Sequence, residues 1–304
     1  MNLLQAALGR EHAVPAVSPW LEMGAYEALW DTDPKASFKS IADRFRSDPD
    51  ALPSDFVNKA TAAEYAHRTD KLLKQRGVNA YGVRLNGTGD YPAKLRDARH
   101  PIELLYYQGE WGLADTPCVA VVGTREPSDE GIKRARQITK CLIDDGYTIV
   151  SGLAAGIDTV AHMAAIEYSV PTIAVIGTPI GVYYPRANEG LQRKIAEEHL
   201  VISQVPNIRY HRMPLLQKRS LFPERNVTMS ALTLATIIIE ASNTSGTLKQ
   251  AQAALHQGRK LFILNSCFER PDLTWPARFA EQGAIRVRDY NDIRSTLSKT
   301  PAIN

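Results

Sequence analysis

From residue 118 onward the chain alternates short apolar runs with longer stretches whose apolar residues recur every three to four positions. The runs are "CVAVVG" (118–123), "YTIVS" (147–151), "TIAVIG" (172–177), "LVISQ" (200–204), "ATIIIEA" (235–241), "KLFIL" (260–264) and "AIRV" (284–287). Each is of strand length and most are rich in β-branched residues. Most of the gaps carry amphipathic helical patterns such as "SDEGIKRARQITKCLIDDG" (128–146). That rhythm predicts an α/β fold: a doubly wound, mostly parallel sheet with helices on both faces, Rossmann-like in its extended form. Earlier in the chain the period is helical throughout. "PWLEMGAYEALW", "SFKSIADRF" and "PSDFVNKATAAEYAHRTDKLLKQRG" are broken by prolines, and Gly77 is placed as a C-cap. These segments predict a small helical N-terminal domain over residues 1–80. A connecting segment, 81–115, follows with a short strand, Gly and Asn turns and the stretch "ELLYYQGEW", expected to pack on a core domain at 116–304.

Composition narrows the class without naming a function. With 304 residues and 44% hydrophobic content the chain can bury a large core. Its longest apolar runs are far too short to span a bilayer, and "MNLLQAALGREH" at the start has neither a basic n-region nor a small-residue cleavage site. A cytoplasmic protein with no membrane partner is expected. Cys118, Cys141 and Cys267 lie far apart with no CxxC pair, which argues against a disulfide framework or a zinc knuckle. His12, His67, His100, His199, His211 and His256 show no ligand spacing, so neither a metal nor a cofactor is expected. A net charge of +3 is too small to identify a partner, and local charge has to decide.

In a doubly wound sheet, ligands bind beyond the carboxyl ends of the strands, so the residues just after each run carry the chemistry. After the first run come Gly123, Thr124 and Arg125; after the second, "SGLAAGID" (151–158); after the third, "GTPIGVYYPRAN" (177–188); after the fifth, "ASNTSGTLKQA" (241–251). Small residues let the backbone approach an anion, and helices expected from Ser128, Asp158 and Ser245 aim free N–H groups at the same edge. A phosphate-bearing ligand is the economical inference, although tight βα turns need glycine for structural reasons alone. No GxGxxG with its acidic partner and no GxxxxGK[ST] occurs.

Between Asn207 and Asn226, "NIRYHRMPLLQKRSLFPERN" holds Arg209, Arg212, Lys218, Arg219 and Arg225 against Glu224, with Tyr210 and Phe222 interleaved. Read as a long connection, it is either a platform for single-stranded nucleic acid, cations on phosphates and rings under bases, or a solvated basic loop. Asp158 and His162, four apart, read as an acid–base pair or as a helix N-cap with His162 turned to the adjacent loop; the cap is the simpler reading. Ser151 has no His and Asp partners in order for a hydrolase triad. Glu240, ending a strongly apolar run, reads either as an orienter of the glycine loops or of an arginine, or as a ligand contact.

Taken in succession, "YPAKLRD", "HPIELLYYQG", "VAVVGTREPSDEG", "SGLAAGIDTVAH", "YYPRAN", "VISQVP", "FPERN", "IIIEASNTSGTLKQAQAALHQGRK" and "EQGA" make the span from about Tyr91 to Val287 resemble the DNA-processing protein A (DprA/Smf) family. The resemblance implies an extended Rossmann domain that binds single-stranded DNA. It also implies a homodimer that hands the strand to a RecA-type recombinase during transformation, with no catalysis. By motif, Gly123, Thr124 and Arg125 match the family's G-[ST]-R loop. Ser151, Gly152, Gly156 and Asp158 match its helix-start loop with His162 behind, and Arg225 with Asn226 begins its "RNR". With Arg186, Lys218, Arg219, Ser245, Gly246 and Thr247 these are the expected DNA or phosphate contacts, and Asp158, His162 and Glu240 their support.

The chain departs from the family pattern in places. Pro179 and Gly181 replace a glycine and an aspartate of the third loop. Val227 stands for the second arginine of "RNR", Gln204 for the glutamate of "SE", and Asn265 with Ser266 for Pro-Gly. Only "RDY" and then "NDIRSTLSKTPAIN" follow the last run, so the family's common C-terminal winged helix is expected to be missing. Two other readings therefore stay open: a specialised relative in a defence or toxin-antitoxin pair, and a nucleotide sensor or phosphoribohydrolase resembling the LOG enzymes. The second loses its catalytic helper, because Gln250 stands where that motif needs a glutamate.

Overall fold

The computed structural model describes residues 17–298; the readings of residues 1–12, His12 among them, and of 299–304 lie outside this range. The seven runs form strands β3 (Cys118–Val122), β4 (Thr148–Ser151), β5 (Thr172–Ile176), β6 (Leu200–Ser203), β7 (Ala235–Ile238), β8 (Lys260–Leu264) and β9 (Ile285–Val287). Two earlier strands, β1 (Gly82–Leu85) and β2 (Leu104–Gly109), join the same nine-stranded sheet, whose order is β1-β2-β6-β5-β4-β3-β7-β8-β9. From β3 to β9 all neighbours are parallel, whereas β2 runs antiparallel to both β6 and β1. The chain winds outward from β3 to β6 and returns to build β7, β8 and β9 on the other side, so β3 and β7 flank the switch point.

Helices α1 (Pro19–Thr32), α2 (Phe38–Arg46) and α3 (Lys59–Gln75) precede the sheet. Ser18, Ser37 and Asn58 cap them with side-chain oxygens on backbone N–H groups, and Gly77 at φ +78° closes α3. Then come α4 (Asp129–Asp144), α5 (Ile157–Glu167), α6 (Glu189–Glu198), α7 (Asn207–Arg212), α8 (Leu215–Leu232), α9 (Thr247–His256), α10 (Asn265–Phe268), α11 (Trp275–Glu281) and α12 (Tyr290–Leu297). Strand alternation divides the core between the two faces: Val119 and Val121 pack with Ala135, Leu142 and Ile293, and Ala120 and Val122 with Met229, Leu232 and Ala251. Among the described residues no helix is long and apolar enough to cross a membrane.

Two expectations change. The stretch read as connection contains β2, where Leu104, Leu105 and Tyr106 are buried in succession and lack the period-two signal of a half-exposed strand. The basic connection is helical, α7 and then the 18 residues of α8. Its prolines mislead: Pro214 is the N-cap residue of α8, and Pro223 is accommodated inside it.

The start of α7 is held from a distance. Glu27 of α1, fully buried, accepts from the Tyr106 hydroxyl at 2.5 Å and from the Asn207 and Ile208 N–H groups at 2.6 and 2.9 Å. A carboxylate thus satisfies orphan donors of a helix N-terminus, while burial pushes its pKa up. The basic segment is anchored through α1.

Candidate functional site

The turn after β3 is shaped by two glycines that cannot carry a side chain. A Cβ on Gly123 would lie 2.6 Å from the Ile157 side chain, and one on Gly156, at φ +78°, 2.4 Å from the Thr124 carbonyl oxygen. The Thr124 N–H donates to the Glu240 carbonyl at 2.7 Å, and the Ile157 N–H to the Thr124 carbonyl at 3.2 Å. Interlocked in this way, the turn projects Arg125 outward. Its guanidinium is exposed and makes no hydrogen bond or ion pair with the described residues. The Glu240 carboxylate accepts from the Ser128 N–H (3.2 Å) and hydroxyl (3.0 Å), and Ser128 in turn caps α4. Glu240 therefore orients the loop that carries Arg125.

Arg125 borders a groove of about 560 Å³ at the switch point, with Gly123, Thr124, Ser245, Gly246 and Thr247 on the β3 and β7 loops. From α8 come Arg219, Phe222 and Asn226, and from the loop after β5 comes Tyr184. The Phe222 and Tyr184 rings lie 5.1 Å apart, and Phe222 approaches so closely that a Cβ on Gly177 would be 2.5 Å from it. The Arg219 side chain is exposed and makes no hydrogen bond or ion pair with the described residues. The Thr247 hydroxyl donates to the Gly123 carbonyl at 3.2 Å, and the Asn226 amide donates to the Gly246 carbonyl at 3.1 Å, tying α8 and α9 to one rim.

Several expected contacts lie beneath this surface. Arg225 is 5% exposed, and its guanidinium donates to the Gly152 and Val175 carbonyls and to Asn226. With its donors so engaged it is a clamp under the groove, and burial draws its pKa down to about 10. Gly152 serves that clamp, since a Cβ there would be 2.4 Å from the guanidinium. Ser151 is wholly buried and donates to the Val121 carbonyl at 2.7 Å.

Asp158 is not the N-cap, a position held by Gly156. Its carboxylate reaches back to accept from the Gly152 and Ala154 N–H groups at 3.1 and 3.4 Å. Burial raises its pKa, opposed chiefly by the positive charge of Arg225. His162 does not face a loop: fully buried, it sits 2.8 Å from the Thr172 hydroxyl, and desolvation lowers its pKa to about 3, so it is neutral. Arg186 points away in an ion pair with Glu189 (3.0 Å), and Lys218 lies over the Tyr210 ring at 4.6 Å; neither borders the groove. Of the two rings read in the basic segment, Phe222 borders the groove and Tyr210 does not, whereas Tyr184 was not among the expected contacts. The signal for Tyr184 was "YYPRAN", and that Phe222 lies one helical turn from Arg219 is legible only once α8 is known to be a helix.

Fold and groove together define a Rossmann-like protein whose switch-point rim offers two guanidiniums unpaired among the described residues, small polar loops and an aromatic pair. Among the described residues no three His, Cys, Asp or Glu side chains are grouped to hold a metal ion. The family model of DNA recombination-mediator protein A matches residues 83–298, and the chain belongs to that family. It is 39% identical over 178 residues to DNA processing protein DprA of Streptococcus pneumoniae, covering 57% of this chain and 59% of the relative. It is 33% identical over 219 residues to Protein Smf of Synechocystis, covering 71% and 54%. The chain thus spans somewhat over half the length of these two relatives. Among solved structures, S. pneumoniae DprA superposes with a TM-score of 0.65 at 30% identity, covering 92% of this chain and 93% of that one. The Helicobacter pylori DprA, described for its single-stranded DNA binding mode, superposes with a TM-score of 0.61 at 27% identity, covering 72% and 96%.

Proposed function

We propose that this chain binds single-stranded DNA in the rim groove and serves DNA processing as a binding protein without catalysis. The observation that carries the reading is the placement of the free guanidiniums of Arg125 and Arg219 beside the Tyr184–Phe222 ring pair in one groove at the β3/β7 switch point. Cations against phosphates and rings against bases hold a strand without reading its sequence. Single-stranded DNA binding by the H. pylori relative supports the assignment. The non-enzymatic reading is supported by the carboxylate that lines the groove: Asp158 is 5% exposed and occupied by backbone donors. Where a phosphoribohydrolase needs a glutamate, Gln250 is buried and donates to the Thr236 hydroxyl at 3.2 Å. Family membership supports two further parts of the proposal, assembly as a homodimer and delivery of the strand to a RecA-type recombinase.

The test is fluorescence anisotropy with labelled oligo-dT, with duplex DNA and free nucleotides as competitors. Arg125→Ala should weaken oligo-dT binding by about 1–3 kcal/mol, the loss of one charge-assisted phosphate contact. Because the guanidinium has no hydrogen bond or ion pair within the described residues, the melting temperature should not move. Equal affinity in the two proteins would remove Arg125 from the site.

A further inference from the structure

The rim groove takes Arg219, Phe222 and Asn226 from α8, and Glu224, Val227 and Thr228 of the same helix border a second cleft of about 320 Å³. Lys249, Gln252, Ala253 and His256 of α9, with its C-cap Gln257, form another wall, and Arg99, His100 and Ile102, ahead of β2, a third. Gln204, just past β6, completes the lining at 1% exposure, and neither polar atom of its carboxamide has a hydrogen-bond partner among the described residues. Around it the Gln257 amide donates to the Val227 carbonyl at 3.1 Å, while its own oxygen and Nδ1 of His100 have no partner among the described residues.

Buried amides in folded proteins are hydrogen-bonded, and a carboxamide with both atoms idle calls for a partner that the described residues do not supply. A flat heterocycle with a donor beside an acceptor is complementary to it, as a carboxamide is to the edge of a base. The outer part of the cleft is cationic: Arg99 and Lys249 are exposed, and neither side chain makes a hydrogen bond or ion pair among the described residues. Glu224 also borders it, half-buried, without a hydrogen bond or ion pair among the described residues and within the electrostatic reach of Lys249, as an acceptor for further N–H groups of a base. The space suits a single nucleotide. Positions 204 and 227, at which the chain departs from its family pattern, meet here.

We propose that this cleft is a second binding site for one nucleotide unit, its base paired to the Gln204 carboxamide and its phosphate at Arg99 and Lys249. The unit is either a free mononucleotide or one nucleotide of a bound strand. This cleft shares only Pro223 with the lining of the rim groove, and the experiment separates the two.

Calorimetric titration of dAMP, dCMP, dGMP and dTMP is run on the full chain and on its Arg125→Ala, Gln204→Leu and Val227→Phe variants, alongside oligo-dT and mixed-sequence oligonucleotides. For a free ligand, at least one monophosphate binds wild type and Arg125→Ala alike, Gln204→Leu weakens it about tenfold or more, and Val227→Phe, which fills the cleft, abolishes it. For a strand-borne unit no monophosphate binds, and the same two variants weaken oligonucleotide binding about tenfold with Arg125 in place. Removing an idle buried amide should leave the melting temperature of Gln204→Leu level or raised, so lost binding is not lost folding; should that variant fail to fold, Val227→Phe, at a half-buried position, carries the test. The proposal is overturned if no monophosphate binds and neither variant alters oligonucleotide affinity, as for a cleft filled only by water, or if all monophosphate binding vanishes with Arg125→Ala.

Discussion

Replacing Arg225 with leucine distinguishes a ligand contact from a structural clamp. In the wild-type chain the guanidinium is 5% exposed, donates to two backbone carbonyls, and is the main positive charge near the buried Asp158 carboxylate. Arg225→Leu removes those donors at once and leaves Asp158 with backbone amides alone. Each buried carbonyl left without its donor costs about 1–3 kcal/mol, and the Asp158 carboxylate loses its neighbouring positive charge in the same direction. At roughly 2–4 °C per kcal/mol for a domain of this size, the melting temperature should fall by on the order of 10 °C. The assay is paired urea and thermal unfolding followed by circular dichroism, at neutral pH and near pH 4. Burial already raises the pKa of Asp158, and losing Arg225 raises it further. Above the unfolded-state value the native carboxyl then holds more proton than the unfolded one, so stability falls as pH rises through that window. The deficit of the variant against wild type should be larger at neutral pH than near pH 4. A variant that melts within about 2 °C of wild type but no longer binds oligo-dT would refute the clamp and return Arg225 to the DNA surface.

Arg219→Ala should flatten the dependence of log affinity on log salt by roughly 0.7 for oligo-dT, one phosphate contact, while Lys218→Ala, whose ammonium lies over Tyr210, should leave the slope in place; equal slopes for both would contradict the groove. His162 is neutral and buried with its pKa near 3, against an ordinary value of 6.5, so the unfolded chain binds its proton first and stability declines as pH falls below about 6.5. In His162→Gln that acid slope should lessen by up to about 1.4 kcal/mol per pH unit, and an unchanged slope in denaturant titrations between pH 6.5 and 4 would sink the assignment. Gly156→Ala, forced against the Thr124 carbonyl at positive φ, should displace the Arg125 turn and lower both melting temperature and oligo-dT affinity, whereas Arg125→Ala lowers affinity alone; loss of only one property in Gly156→Ala would uncouple the turns.

The sequence by itself determined the seven parallel strands, because buried parallel strands read as unbroken apolar runs, and it located the rim, because ligand loops follow strand ends wherever the sheet is doubly wound. The interlocked glycines were legible for the same local reason. Local pattern does not encode depth. Arg125 and Arg225 are both arginines in matching motifs, yet one turn throws its side chain into solvent, and a helix lying across the sheet drives the other into the carbonyls of Gly152 and Val175. The same holds for Ser151, Asp158 and His162, each beside the expected loop but buried against its backbone or the neighbouring strand. That α8 is a helix and not a loop, that β2 extends the sheet, and that Gln204, Val227 and Gln257 face one cleft were decided by tertiary structure alone. Packing sets which side chain meets water and which meets protein, and it acts between segments far apart in the chain.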